Sequence, residues 1–188
     1  MDYVYHIGVM VSLYVILATS FNLLIGCAGL FALSHAGFYA LGAYTVAILA
    51  TNFDLAFPVP LLIGAVGTAV IGAAIAIPAL RIGGHYLVVI TMAFQVILLA
   101  VLLNLRSLTG GTDGISGIPQ IELFGIRLTE NWQYMIATAI VAALCYWICA
   151  VVANSPFGRA LRAMRENEMA AESVGKNIVY LKVMVFML

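Results

Sequence analysis

The chain alternates long apolar runs with short polar breaks, and the run lengths carry most of the information. The first run extends from about Tyr3 to Ile25, with Ser12, Thr19, Ser20 and Asn22 as its polar content. The second extends from about Phe38 to Ala50, the third from Pro58 to about Leu80, the fourth from Tyr86 to about Leu105, and the fifth from Trp132 to about Ala153. A helix crossing a hydrocarbon core of ~30 Å needs about 20 apolar residues. Each run is therefore predicted to be a membrane-spanning helix. The chain turns apolar again at Ile178 and is written for only about half a span more, which reads as the start of a sixth crossing in a chain truncated at its C-terminus. The expected fold class is all-α, a polytopic membrane helical bundle forming a single transmembrane domain over residues 1–188.

The breaks refine this picture. Gly26-Cys27-Ala28-Gly29 interrupts the helical pattern, and Ser34-His35-Ala36-Gly37 precedes the short second run. A broken or re-entrant helix is expected over residues 26–37, because irregular backbone at membrane depth persists only where protein or a water-filled cavity satisfies it. Asn52-Phe53-Asp54 is a polar break, and Pro58 and Pro60 open the third run, where a helix tolerates proline best. Arg81-Ile82-Gly83-Gly84-His85 closes it. Within that run Gly64, Thr68, Gly72 and Ala76 recur every four residues, a small-residue stripe that lets another helix approach closely. Trp132 and Tyr134 open the fifth run and fit an interfacial aromatic belt. Asp2 stands where a signal peptide would carry positive charge, so the first run is expected to be retained.

Composition agrees. Hydrophobic residues make up 64% of the 188 and charged residues 9%, against about 45–50% and about 25% in soluble domains. Such a chain has too little polar surface to cover a water-soluble particle. A disordered tail, a basic nucleic-acid binder and an ordinary cytosolic enzyme are excluded. The eight basic and eight acidic residues cancel, yet they are partitioned along the chain. One set of connections holds Arg81, Arg159, Arg162, Arg165 and Lys176, with Lys182 close behind; the other holds only Arg106 and Arg127 beside Asp2, Asp54, Asp113, Glu122 and Glu130. The basic set is expected on the cytoplasmic side, with the N-terminus outside and residues 154–177 inside.

That charged segment has a helix's punctuation. Ser155-Pro156 is a start, with an N-cap hydroxyl and a first-turn proline, and Gly175 is a stop. Phe157, Leu161 and Met164 fall on one face, and Arg162–Glu166 and Glu172–Lys176 have ion-pair spacing. A short amphipathic helix, or two half-helices, is expected on the cytoplasmic face. It serves either as an interfacial element in the headgroups or as a docking element for a protein partner.

Catalytic motifs are missing. Gly175-Lys176 fails as a phosphate-binding loop because Ala170 and Asn177 stand where glycine and a hydroxyl residue are required. His6, His35 and His85 are widely spaced, and Cys145 and Cys149 share a helix face with no histidine or carboxylate near them in sequence, so no metal site, cofactor or catalytic residue is expected. His35 is the ionisable group expected at membrane depth, and Asn22, Ser34, Thr91 and Gln95 join it as candidates to line a polar path.

Three stretches resemble one family. Asn22-Leu23, Gly26, Ala28-Gly29, Ser34-His35-Ala36, Phe38 and Gly42-Ala43-Tyr44 are similar to the N-L-x-x-G-x-A-G region and the following G-A-Y of branched-chain amino-acid ABC-importer permeases. Thr109-Gly110-Gly111, Gly114-Ile115 and Gly117-Ile118-Pro119 resemble their T-G-G-x-x-G-I-x-G-I-P segment. Residues 158–175 resemble the cytoplasmic G-R-A-x-R-A-x-R-E-x-E-x-A-A-x-x-x-G segment.

The resemblance implies a permease subunit in a bacterial cell inner membrane. Its implied partners are a second permease, two cytoplasmic ATPase subunits and an extracytoplasmic solute-binding protein, and it implies branched-chain amino acids or close analogues as substrate. ATP hydrolysis would reside in the partners. The resemblance also places ATPase coupling on Arg159, Arg162, Arg165, Glu166, Glu168, Ala170, Ala171 and Gly175, with the helix Phe157–Val174 seated in an ATPase cleft. Within residues 158–175, Ala170-Ala171-x-x-x-Gly175 is similar to the E-A-A loop by which importer permeases dock on their ATPases, and Met169 departs from that loop by occupying its glutamate position, with Glu168 one residue earlier. Two other readings fit the residues: a proton- or ion-coupled secondary transporter using His35, and a non-transporting membrane scaffold.

Overall fold

A computed structural model describes residues 2–53, 57–82, 86–119, 122–123, 126–127 and 129–187. Asp54, Gly83, Gly84 and His85, assigned above to connections between spans, lie outside these residues. Among the described residues, five helices are long and apolar enough to cross a membrane. They are α1 (Asp2–Asn22, continued by a π turn over Leu23–Cys27), α2 (His35–Phe53), α3 (Pro58–Ile82), α4 (Tyr86–Asn104) and α6 (Asn131–Asn154). Between α4 and α6 lie the short helix α5 (Arg106–Thr109), a 3₁₀ turn (Gly111–Asp113) and two-residue strands β1 (Glu122–Leu123) and β2 (Ile126–Arg127). After α6 come α7 (Pro156–Glu166), α8 (Glu168–Ser173) and the apolar α9 (Ile178–Met187). The chain is a polytopic all-α membrane protein, as the run lengths predict. The antiparallel ladder, with Glu122 opposite Arg127 and Leu123 opposite Ile126, is too short to register as periodicity.

Several hydroxyl groups inside the spans donate to a carbonyl of their own helix. Ser12 donates to the Gly8 carbonyl at 2.8 Å, Thr45 to Leu41 at 2.7 Å and Thr138 to Tyr134 at 2.9 Å. Hydrocarbon offers no water to such groups, so the backbone one turn earlier is the available acceptor. Large apolar side chains point outward instead: Leu62, Ile97, Ile140 and Trp147 are each more than 60% exposed. In water this would be an aggregation-prone surface, whereas in lipid it is the ordinary exterior.

The chain divides into two compact units, one comprising Met1–Phe31 with Leu128–Phe186 and the other Ala32–Arg127. In the first, α1 and α6 run parallel. The Asn131 side-chain amide donates to the Asp2 carboxylate at 3.3 Å where the two helices start. A β-carbon on Gly8 would lie 2.6 Å from the Met135 sulfur, so any larger residue there requires the methionine side chain to shift. At the start of α6, the Gln133 side-chain oxygen accepts from the backbone N–H groups of Thr129 and Glu130 at 2.9 and 3.2 Å.

In the second unit α2 and α3 form an antiparallel hairpin closed by small residues. A β-carbon on Gly64 would lie 3.1 Å from Val46 and 3.5 Å from the Gly42 carbonyl oxygen. Gly64, Gly72 and Ala76 are buried, so the four-residue stripe is a packing face, as its spacing predicts. The start of α2 meets α4, where the Phe38 and Phe94 rings stand 5.4 Å apart. The stretch after α4 folds on itself. Thr109 is buried, and its hydroxyl donates to the Leu102 carbonyl at 2.6 Å and accepts from the Gly111 N–H at 3.2 Å. Gly110 takes φ +73° against the Gly114 backbone, a conformation and closeness that exclude a side chain. The T-G-G-x-x-G pattern is thus the closing turn of α5, tied back to the end of α4 through the Thr109 hydroxyl.

Candidate functional site

The charged segment expected to couple is built where the chain leaves α6. Ser155 is extended, and its hydroxyl accepts from the Gly158 N–H at 3.3 Å and donates to the Val152 carbonyl at 2.6 Å. Pro156 follows at the first helical position. The reversal is tight enough that a β-carbon on Gly158 would overlap the carbonyls of Val152 and Ala153. Leu161 and Met164 are fully buried and Phe157 half-buried, so the apolar face predicted for α7 faces inward.

The single helix Phe157–Val174 does not form; of the two forms expected, the structure takes the pair of half-helices. Asn167 breaks the run with an extended backbone (φ −158°, ψ 107°), and its side chain accepts from the Ala170 N–H at 3.0 Å, starting α8. Gly175, at φ +80°, closes α8 with its N–H on the Glu172 carbonyl at 2.8 Å, the stop expected there.

The charged residues of this segment have specific destinations. Arg159 donates to the Asn154 carbonyl at 3.3 Å and Arg162 to the Ala153 carbonyl at 2.8 Å. Both oxygens belong to the last turn of α6, which has no further turn to donate to them. Arg165 donates to the Gly26 carbonyl in the π turn that ends α1. The expected Arg162–Glu166 pair is absent because Arg162 serves α6; Glu166 lies 3.7 Å from Arg165, both well exposed. Glu172 and Lys176 cannot pair along one helix because α8 ends at Ser173. Glu168 instead holds Lys182 of α9 at 2.7 Å. Ala171 is buried, whereas Ala170 and Gly175 are exposed, and beside them Met169 and Val174 are 80% and 78% exposed.

Lys182 is the member of this site that sequence reasoning missed, having been counted only for orientation. Residues 168 and 182 lie on different helices with a reversal between them, so no spacing rule links them. The same holds for the three carbonyl contacts of the arginines.

The candidate path residues divide between the units. Asn22 is exposed at the end of α1 in the first unit, with its side-chain oxygen filling the space where a Gly26 β-carbon would lie. Ser34, His35, Thr91 and Gln95 belong to the second. Thr91 is fully buried; its hydroxyl donates to its own helix at Leu87 and accepts from the Leu33 N–H at 3.1 Å, tying the irregular stretch before α2 to α4. Ser34, next to that junction, is 1% exposed. His35 is half-buried at the first position of α2. A β-carbon on Gly37 would lie 3.7 Å from the Gln95 α-carbon. Among the described residues, the Ser34 hydroxyl, the Gln95 carbonyl oxygen and the Thr68 hydroxyl are buried without hydrogen-bond partners. Thr68 was read only as part of the small-residue stripe.

Comparison with known proteins covers almost the whole chain. Residues 3–188 match the family described as branched-chain amino acid transport system / permease component. The chain is 32% identical over 204 aligned residues to the high-affinity branched-chain amino acid transport system permease proteins LivM of Salmonella typhimurium and Escherichia coli, covering 96% of this chain and 48% of each relative. It is 32% identical over 114 residues to a probable LivM permease of Methanocaldococcus jannaschii, covering 61% of this chain and 33% of that protein. The chain thus spans about half the length of the curated relatives it matches. No solved structure matches it.

Proposed function

Because the chain belongs to the permease-component family of branched-chain amino acid transport systems, we propose that it is a membrane subunit of an ATP-driven importer for branched-chain amino acids or close analogues in a bacterial inner membrane. It pairs with a second permease, receives solute from an extracytoplasmic binding protein, and is driven by two cytoplasmic ATPases. Residues 154–177 face the cytoplasm and the N-terminus faces outward, in keeping with the basic residues gathered there.

The observation that carries this reading is the outer surface of α8. Met169 in the first turn of α8 and Val174, the residue just past its end, stand about four-fifths exposed in the most charged stretch of the chain. Two large apolar side chains held out on a capped helix, where lipid tails do not reach, are the form of a protein contact. With Met169 at the E-A-A glutamate position and Glu168 engaged by Lys182, ATPase docking rests on apolar contact there. The eight coupling residues then fall into two roles. Arg159, Arg162, Arg165, Glu168 and the buried Ala171 seat the segment on its own chain, and Glu166, Ala170 and Gly175 shape the face it presents. The unsatisfied Ser34 and Gln95 oxygens, with Thr68, support a polar path beside Thr91 and His35, since such groups are adverse in hydrocarbon unless water or solute reaches them.

Membranes carrying the assembled permease pair and washed with purified ATPases test the reading. Wild-type membranes are expected to retain the ATPases, and Met169→Lys with Val174→Lys to lose at least tenfold of that binding while the permease remains in the membrane. Equal retention by the double variant would contradict docking on this face.

A further inference from the structure

Arg165 stands apart from the other arginines of α7. Arg159 and Arg162 reach the helix directly before them, but Arg165 crosses to the broken end of α1, donating to the Gly26 carbonyl. The π turn over Leu23–Cys27 widens that end, and the chain leaves it through backbone bonds from Gly29 to Ile25 at 3.0 Å and from Leu30 to Leu24 at 3.2 Å. Gly29, at φ +69°, has its α-carbon under the Arg165 stem, so a β-carbon there would overlap the Arg165 γ-carbon. The break in the first span and the third arginine of α7 therefore fit together as a joint: a carbonyl at a helix end accepts a charged donor, and a glycine clears the way for its stem.

We propose that Arg165 is a positioning residue that makes α7 and the π-turn end of α1 move as one body, so that displacement of α7 by a cytoplasmic partner is passed directly to the first membrane span. This rests on the reading that α7 and α8 dock an ATPase. It assigns Arg165 to an internal linkage rather than to the partner's surface, and it explains why the first span ends in a widened turn instead of a regular one.

The test uses the complete transporter in proteoliposomes and measures labelled leucine taken up per ATP hydrolysed. In Arg165→Ala that ratio is expected to fall at least fivefold, uptake being lost out of proportion to any change in ATP hydrolysis; Arg165→Lys, which keeps a charged donor, is expected to recover part of it. A ratio within twofold of wild type in Arg165→Ala would overturn the proposal. A wild-type complex that neither binds ATPases nor couples ATP to uptake would instead overturn the functional reading beneath it. A covalent version separates linkage from simple folding. A β-carbon at position 29 lies 3.3 Å from that of Arg165, close to the ~3.5–4.5 Å of disulfides. In a background with Cys27, Cys145 and Cys149 replaced by alanine, Gly29→Cys with Arg165→Cys is expected to show a low ratio when reduced and a restored one when oxidised. Uptake that is present when reduced and abolished by oxidation would show that α7 and α1 must separate, against the proposal.

Discussion

The Lys182 ammonium lies 2.7 Å from the Glu168 carboxylate, with the lysine side chain 8% exposed and the glutamate 56%. Lys182 stands one turn into an apolar helix, and its charge is held by α8 rather than by a lipid headgroup. Removing one partner from a buried pair costs about 3–5 kcal/mol, whereas exposed pairs contribute about 0–1 kcal/mol. The half-exposed glutamate places Glu168→Ala between them, at about 1–2 kcal/mol. Lys182→Met removes the charge that needs a partner and is expected to cost less than half as much. Thermal unfolding of the purified protein in detergent compares the two; equal losses would contradict a buried, dependent lysine.

Gly158 sets the angle at which α7 turns under α6. Gly158→Ala forces a β-carbon into the Val152 and Ala153 carbonyls, so the turn must open. Arg159 and Arg162 then lose their carbonyl partners. Trypsin cleavage at these arginines is expected to quicken at least tenfold in membranes. Ser155→Ala, which removes one capping hydroxyl worth about 1 kcal/mol, should quicken it far less.

Thr91 accepts the Leu33 N–H inside the protein. Thr91→Val leaves that donor unpaired, at about 1–3 kcal/mol, while Thr91→Ser keeps the hydroxyl and should cost less. A Thr91→Ser loss as large as that of Thr91→Val would assign the effect to the missing methyl rather than to the hydrogen bond. Melting curves of the two variants decide it.

At the α2–α3 crossing, Gly64→Ala requires Val46 to yield by a few tenths of an ångström, given the 3.1 Å approach. Gly64→Leu must part the helices, at about 1–3 kcal/mol for overpacking. The leucine variant is expected to melt well below the alanine variant, and matching melting temperatures would show that the helices do not close on this glycine.

Run length made the five spans legible, because a bilayer imposes a length that few other environments do. The caps at Ser155 and Gly175 and the stripe through Gly64 were legible because each is a local rule. The break at Asn167 was only half legible: asparagine is a good N-cap, yet the amphipathic pattern continues through it, and the side-chain bond to Ala170 decided the matter. The destinations of Arg162 and Arg165 were hidden, since periodicity marks a face and not which distant carbonyl lacks a donor. Ser34 and Gln95 were legible as polar residues in apolar surroundings, whereas the buried, unpaired Thr68 hydroxyl was hidden because its spacing placed it in the small-residue stripe.

The most direct test of the account is labelled leucine uptake by the complete transporter in proteoliposomes, with hydrolysable ATP compared against a non-hydrolysable analogue and against an imposed proton gradient. Uptake is predicted with hydrolysable ATP alone, with no response to the gradient. Uptake driven by the gradient in the absence of the ATPases, and abolished by His35→Ala, would contradict it.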